Sequence, residues 1–263
     1  MRMGHRVVDP DREGKEFDGC SALALMTKAP RAGEVKTRLV PPLTNEEAAQ
    51  LNRCFLHDTA ATISICCSGP TEQNPGQSGV RGIAVYTPVG AESDYADILP
   101  GDFSLLLQRG KGFGERLCSA AEDLFKSGFN AVCLIDSDSP TIPAVNFTNA
   151  IEALSSPGDR LVLGPCDDGG YYLIGLKRLH REIFQGIDWS TERVFEQTRQ
   201  RATEIGVEVH ELPRGYDVDD RGTLHRLCDE LLGENPRDGV APRTHEFLRE
   251  LIARDRRQRI WPA

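Results

Sequence analysis

The chain has 263 residues, with 31 Lys and Arg against 40 Asp and Glu and a formal net charge of −9. A chain of that length buries a sizeable core without disulfide or metal staples, and 39% hydrophobic with 27% charged residues describes an ordinary globular protein. The acidic balance excludes broad, sequence-independent binding to nucleic acid polymers, which needs basic surface to displace counterions.

In chain order, residues 1–19 are polar and charged, lack the apolar stretch of a signal peptide, and read as a loose leader. A strand is predicted over 21–26. Thr44 and Glu47 form a capping box that opens a helix carrying Ala48, Leu51, Phe55 and Ile63 on one face. The Gly-, Pro- and Ser-rich stretch 68–79 reads as a surface loop, followed by a strand over 83–87. Leu117, Ala120, Ala121, Leu124 and Phe125 make a helical stripe. A strand over 131–135 precedes a helix over 145–154, with Pro143 as its first helical residue. Strands over 161–163, 171–175 and 207–212 and helices over 191–205 and 223–232 complete the series. Such alternation predicts an α/β fold: a three-layer α/β/α sandwich with a mixed, mostly parallel sheet, occupying residues 20–235. The tail, 236–263, places Phe247, Leu248, Leu251 and Ile252 on one stripe among arginines and reads as a docked helix. No stretch approaches the roughly 20 apolar residues of a membrane span, so no membrane partner is expected. Eight cysteines without a C-x-x-C pair read as reduced, mostly buried thiols of a cytoplasmic protein.

Four segments carry candidate chemistry. Residues 27–39 hold Lys28, Arg31, Lys36 and Arg38 against Glu34 alone, with Gly33 allowing close backbone approach. Their cations, with the Thr37 hydroxyl, suit phosphate oxygens beyond the carboxyl end of a strand. Asp136 and Asp138 follow the strand over 131–135, and two carboxylates so spaced can share a hard cation, Mg²⁺ or Mn²⁺. Asp217 and Asp219 repeat that arrangement, although Asp219 or Asp220 also suits a helix N-cap. In 164–172, Gly169 and Gly170 let a small acceptor approach, beside Tyr171 and with Asp167 or Asp168 as hydrogen-bond partner or base; Asp168-Gly169 is equally a turn dipeptide. Gly112 and Gly114 are further nucleotide-binding candidates that a glycine-rich helix lead-in explains equally well. No G-x-S-x-G elbow or zinc-type histidine spacing is present.

The segments TKAPRAGEVKTRLVPPL (27–43), GFGERL (112–117), LIDSDSPTIP (134–143), LGPCDDGGYYLIGL (163–176), DWST (188–191) and YDVDD (216–220) together resemble the bacterial DUF2064 family of glycosyltransferase-like proteins. The resemblance implies the GT-A, or nucleotide-diphospho-sugar transferase, fold over about 21–232. The family is in turn similar to phospholactate and molybdenum-cofactor guanylyltransferases. By that likeness residues 36–39 correspond to a phosphate-holding loop, Asp138-Ser139-Pro140 to a metal-binding D-x-P, and Asp217 with Asp219 to a later metal motif. The chain lacks the glycine-rich L-A-G-G loop of the molybdenum-cofactor enzymes, and Asp220-Arg221-Gly222-Thr223 replaces the usual T-P-E-D. The implied activity is a Mg²⁺- or Mn²⁺-dependent nucleotidyltransferase that moves an NMP from an NTP to a small phosphorylated acceptor, with Lys36, Asp138 and Asp168 as its catalytic residues. A glycosyltransferase using a nucleotide sugar is the alternative, and a non-catalytic nucleotide-binding protein the third reading.

Overall fold

The computed structural model describes residues 4–12, 16–67, 79–255 and 257–261. Except for Gly79, the surface loop expected over 68–79 lies outside them, as do residues 1–3 and 13–15 of the leader.

Among these residues eight strands build one sheet: β1 (Arg6–Val7), β2 (Ser21–Lys28), β3 (Val80–Thr87), β4 (Ser104–Leu107), β5 (Ala131–Ile135), β6 (Arg160–Pro165), β7 (Tyr171–Leu176) and β8 (Glu208–Glu211). Their spatial order is β1-β4-β3-β2-β5-β7-β6-β8. Only β7 runs against its neighbours, pairing antiparallel with both β5 and β6. The predicted mixed, mostly parallel sheet is therefore present.

Alternation along the strands sets the layers. On one face Leu23, Leu25, Cys133 and Ile135 pack with Leu56, Ala60 and Ile63 of α1 (Asn45–Cys67) and Phe147, Ala150 and Leu154 of α3 (Ala144–Ser155). On the other, Ala22, Ala24, Val132 and Leu134 meet the Leu117, Ala121 and Leu124 stripe of α2 (Phe113–Lys126) and Phe195 and Ala202 of α4 (Val194–Glu204). The three-layer sandwich follows directly from this partition. The Thr44–Glu47 capping box is formed as expected, each residue's backbone N–H donating to the other's side chain at 2.9 and 3.2 Å. Pro143 differs: its extended backbone makes it the N-cap rather than the first helical residue of α3.

The outer face of α1 builds a further cluster. Phe55 and Leu51 pack there with Leu224 and Leu227 of α5 (Arg221–Leu232), Leu248 and Leu251 of α6 (Pro242–Asp255), and Ile260 of the short α7 (Arg257–Ile260). The tail is thus docked. Asp58, 2% exposed on α1, fixes it by accepting from the Arg243 and Thr244 amides and the Thr244 hydroxyl at 2.7–3.0 Å. One carboxylate thereby caps a helix more than 180 residues away, satisfying amides that have no intrahelical partner. No helix among the described residues is long and apolar enough to cross a membrane.

The leader departs from expectation. Arg6–Val7 pairs in parallel with β4, Val8 is buried, and the buried Phe17 ring stacks on Phe129 with centroids 4.4 Å apart. Arg6–Val7 is held by the sheet edge, and Val8 and Phe17 find places in the core.

Candidate functional site

The parallel strands β2 and β5 end at the same edge of the sheet, which brings the 28–39 loop beside Asp136 and Asp138. The chain after β8 returns to that edge. Cys166 bridges Gly215, and the Asp167 and Gly215 amides donate to the Gly215 and Pro165 carbonyls at 3.1 and 2.8 Å. The Val218 amide donates to the Asp138 carbonyl at 2.9 Å, so both acidic segments share one scaffold. Asp220 caps α5 through the Thr223 amide at 2.8 Å, which leaves Asp217 and Asp219 for the site.

Lys36 sits at the centre. Its φ of +49° lies in the left-handed region, an uncommon conformation for a side chain of this size. Its side chain is 4% exposed, and the ammonium reaches Asp138 at 2.7 Å, Asp219 at 2.9 Å and the Val218 carbonyl at 2.8 Å. Burial alone disfavours the ammonium, but the two carboxylates outweigh it and hold the Lys36 pKa above its ordinary value.

Two cavities meet here. The smaller, about 280 Å³, is lined by Lys28, Thr37 and Arg38 of the basic loop, with Lys36 and Asn52. The larger, about 600 Å³, is lined by Asp136, Asp168, Glu192 and Asp217, by an apolar floor that includes Met26, Leu134 and Ile174, and by Phe113 and Trp189. Arg38, Ser137, Asp138 and Asp219 line both and form the wall between them.

The carboxylates strain against one another. Burial first, then the Asp138 charge, pushes Asp136 well above the usual carboxylate range, although the Ser139 hydroxyl donates to it at 2.8 Å. Burial, with Asp168 and Asp219 next, raises Asp217 to about 6. Such a set fits a divalent cation, which would offset repulsion that Lys36 and Arg38 leave uncompensated. Cys166, Asp168 and Asp217 also bring three ligand atoms within 4.8 Å of one another. The Cys166 thiol itself is pushed far up, by burial and then by Asp136, Asp217 and Asp168, so it is no ready nucleophile.

Other predicted residues fall in different places. Asp167 turns to Arg226, 2.6 Å away, and to Arg214, and does not line the larger cavity, whereas Asp168 does. Gly114 serves packing: a Cβ there would meet the Trp189 indole at 2.4 Å. Gly112 is the N-cap of α2. Gly169, with φ of +89°, lies so close to the Glu192 backbone that a Cβ would come within 2.1 Å of its carbonyl; Gly170 and Tyr171 line the cavity. Gly33 shapes the basic loop at φ +76° without lining the cavity, and Lys28 is partly engaged by Glu34. Phe113, Trp189 and Glu192 received no role from the sequence; the F of GFGERL and the W of DWST were the available signals.

The model of the family described as an uncharacterized protein conserved in bacteria, DUF2064, matches residues 72–191. A protein of Desulfovibrio desulfuricans G20, proposed to be a nucleotide-diphospho-sugar transferase, is 27% identical with a TM-score of 0.74, covering 90% of this chain and 96% of its own. CMP:2-keto-3-deoxy-manno-octonic acid synthetase complexed with CTP is 9% identical, with a TM-score of 0.48 over 79% of this chain and 96% of its own. Rv0371C of Mycobacterium tuberculosis H37Rv, solved in complex with manganese, is 13% identical, with a TM-score of 0.46 over 80% and 97%. No curated protein matches the chain. The likeness to the Desulfovibrio protein and the three-layer architecture give the chain the nucleotide-diphospho-sugar transferase fold.

Proposed function

We propose that this protein is a divalent-cation-dependent nucleotidyltransferase that moves an NMP from an NTP to a small phosphorylated acceptor and releases pyrophosphate. The observation that carries this reading is the pair of cavities, one lined by the basic loop and one by acids, meeting at Asp138 and Asp219. Lys28, Arg38 and the Thr37 hydroxyl bind the NTP phosphates in the basic cavity. Asp138 and Asp219, with Asp136 and Asp217 behind them, are the residues that would hold Mg²⁺ or Mn²⁺, which when bound neutralises charge on the reacting phosphates. Lys36 keeps the two acidic segments in register and adds positive charge at the junction. Asp168 positions the acceptor. An acceptor phosphate oxygen forms a bond to the α-phosphorus, and the bond to the bridging oxygen breaks with its electron pair leaving on pyrophosphate. That nucleophile is already anionic, so positioning and charge neutralisation carry the step without a general base.

A thermal-shift panel of NTPs and nucleotide sugars, with and without Mg²⁺ or Mn²⁺, tests the reading. Stabilisation by an NTP plus metal is expected, with its metal-dependent part abolished in Asp138→Asn. Stabilisation by no nucleotide under any metal condition would overturn it. Glycosyl transfer is the second reading, favoured by one observation: Asp168 lines the larger cavity without a Lys or Arg partner among the described residues, as a base for an acceptor hydroxyl requires. Asp168→Asn separates the two, costing orders of magnitude in turnover if it is the base and mainly raising KM if it positions an acceptor.

A further inference from the structure

The C-terminal tail lies behind the basic loop. Arg259, on α7, donates to the Pro42 carbonyl at 3.1 Å and grips both carboxylate oxygens of Glu47 at 2.9 and 2.8 Å. Glu47, 11% exposed, in turn accepts from the Thr44 amide at 2.9 Å. One guanidinium thus holds, directly at Pro42 and through Glu47 at Thr44, the stretch that runs from the basic loop into α1. Its bonds are the largest influence on Glu47 and keep that carboxyl below the ordinary carboxylate range despite burial.

The stretch leads back to the cavity wall. The Leu43 amide donates to the Leu39 carbonyl at 2.8 Å and the Leu39 amide to the Lys36 carbonyl at 3.0 Å, so residues 36–43 form one hydrogen-bonded relay. Leu39 is fully buried in the outer cluster with Ile260 and Trp261, while Arg38 beside it lines both cavities. Trp261 anchors the tail to α5, its indole N–H donating to Asp229 at 2.8 Å. Lys36 holds a left-handed φ, and a non-glycine residue stays there only where its surroundings over-determine it. Asp138 and Asp219 fix its ammonium. The backbone that carries it is held from the other end, at Pro42.

We infer that Arg259 is a positioning residue of the site. Through Pro42 and Glu47 it sets the 36–43 relay, and with it the cations that line the basic cavity; Trp261 keeps Arg259 in place. The sheet does not depend on these contacts, because Ile260 and Trp261 belong to the outer cluster and not to the two that cover the faces of the sheet. Only the nature of the anion in the basic cavity rests on the proposed function.

Amide hydrogen exchange read by mass spectrometry tests this on the full chain, comparing the native protein with Arg259→Met and Arg254→Met. Arg254 carries the same charge, but its bonds go to Glu47 and Asp255 rather than to Pro42. Arg259→Met should speed exchange in 36–44 by about tenfold and leave 21–28 and 131–135 unchanged. It should also weaken binding of inorganic pyrophosphate, titrated without metal, by about tenfold. Arg254→Met should alter both by less than about twofold. If Arg259→Met fails to fold, Trp261→Phe, which keeps a ring and drops the N–H, should speed exchange in 36–44 in its place. Unchanged exchange in 36–44, an increase confined to 242–261, or equal effects of Arg259→Met and Arg254→Met overturns the inference. A native protein that binds no pyrophosphate sinks the phosphate assignment of the basic cavity alone, since the exchange comparison still decides the role of Arg259.

Discussion

Replacing Lys36 with Met removes one ammonium and leaves its near-isosteric stem in place. Asp138 and Asp219 then lose their contacts at 2.7 and 2.9 Å, and face each other beside Asp136 and Asp217 with only the exposed Arg38, 3.9 Å from Asp219, as a nearby cation. Removing one partner of a fully buried pair costs about 3–5 kcal/mol. The carboxylates here are 33% and 42% exposed, so water screens part of the loss and about 2 kcal/mol is the expected cost. At about 2–4 °C per kcal/mol for a chain of this size, Tm in EDTA should fall by about 4–8 °C. Adding Mn²⁺ should raise Tm more in Lys36→Met than in the native protein, because the ion takes over the charge that the ammonium supplied. Differential scanning fluorimetry with and without metal reads both effects. A drop smaller than about 1 °C, or the same metal response in both proteins, would refute the assignment of Lys36 as the internal cation of this cluster.

Asp58→Ala should destabilise by about 3 kcal/mol in urea titration, since it strips three bonds from the start of α6 and leaves the buried Thr244 hydroxyl unpaired; NTP binding should not change. Burial is the largest influence on Asp58 and raises its pKa above the ordinary 3.8 despite its bonds from Thr244 and Arg243. The native advantage in Tm over Asp58→Asn should therefore be largest in acid and shrink as pH rises through the folded-state pKa; a gap that widens toward neutral pH would contradict this. Gly114→Ala should displace the indole it now touches, costing about 1–3 kcal/mol and shifting Trp189 emission, with steady-state fluorescence as the readout. Cys166 should resist iodoacetamide at mildly alkaline pH in the native protein and react on unfolding, as mass spectrometry of the peptides would show.

The strands were legible where apolar runs are long, as in 21–26 and 131–135, and so were the acids that follow them, because ligand groups collect at carboxyl ends of parallel strands. Strand β4 was not, since Ser104–Leu107 is four residues long and shows no alternation. The choice between Asp167 and Asp168 could not be read locally either. What separates them in the structure is Arg226, 59 residues on, which pairs with Asp167 and leaves Asp168 to line the larger cavity. That Phe113 and Trp189 meet was not legible for the same reason, because it depends on how the start of α2 packs against residues 187–194. Gly114 was ambiguous for a related reason: its missing side chain makes room for an indole, and glycine looks the same whether it admits a ligand or a neighbour.

The wall of Arg38, Ser137, Asp138 and Asp219 belongs to both cavities. A ligand on either side changes the field and the side-chain positions that the other must meet, so the two occupancies are thermodynamically linked. Whatever factor the first ligand applies to the affinity of the second is returned in equal measure. An anion in the basic cavity draws on Arg38 and leaves Asp219 more strongly negative toward the larger one. Four side chains that neither cavity owns alone thus set how strongly the two occupancies are coupled.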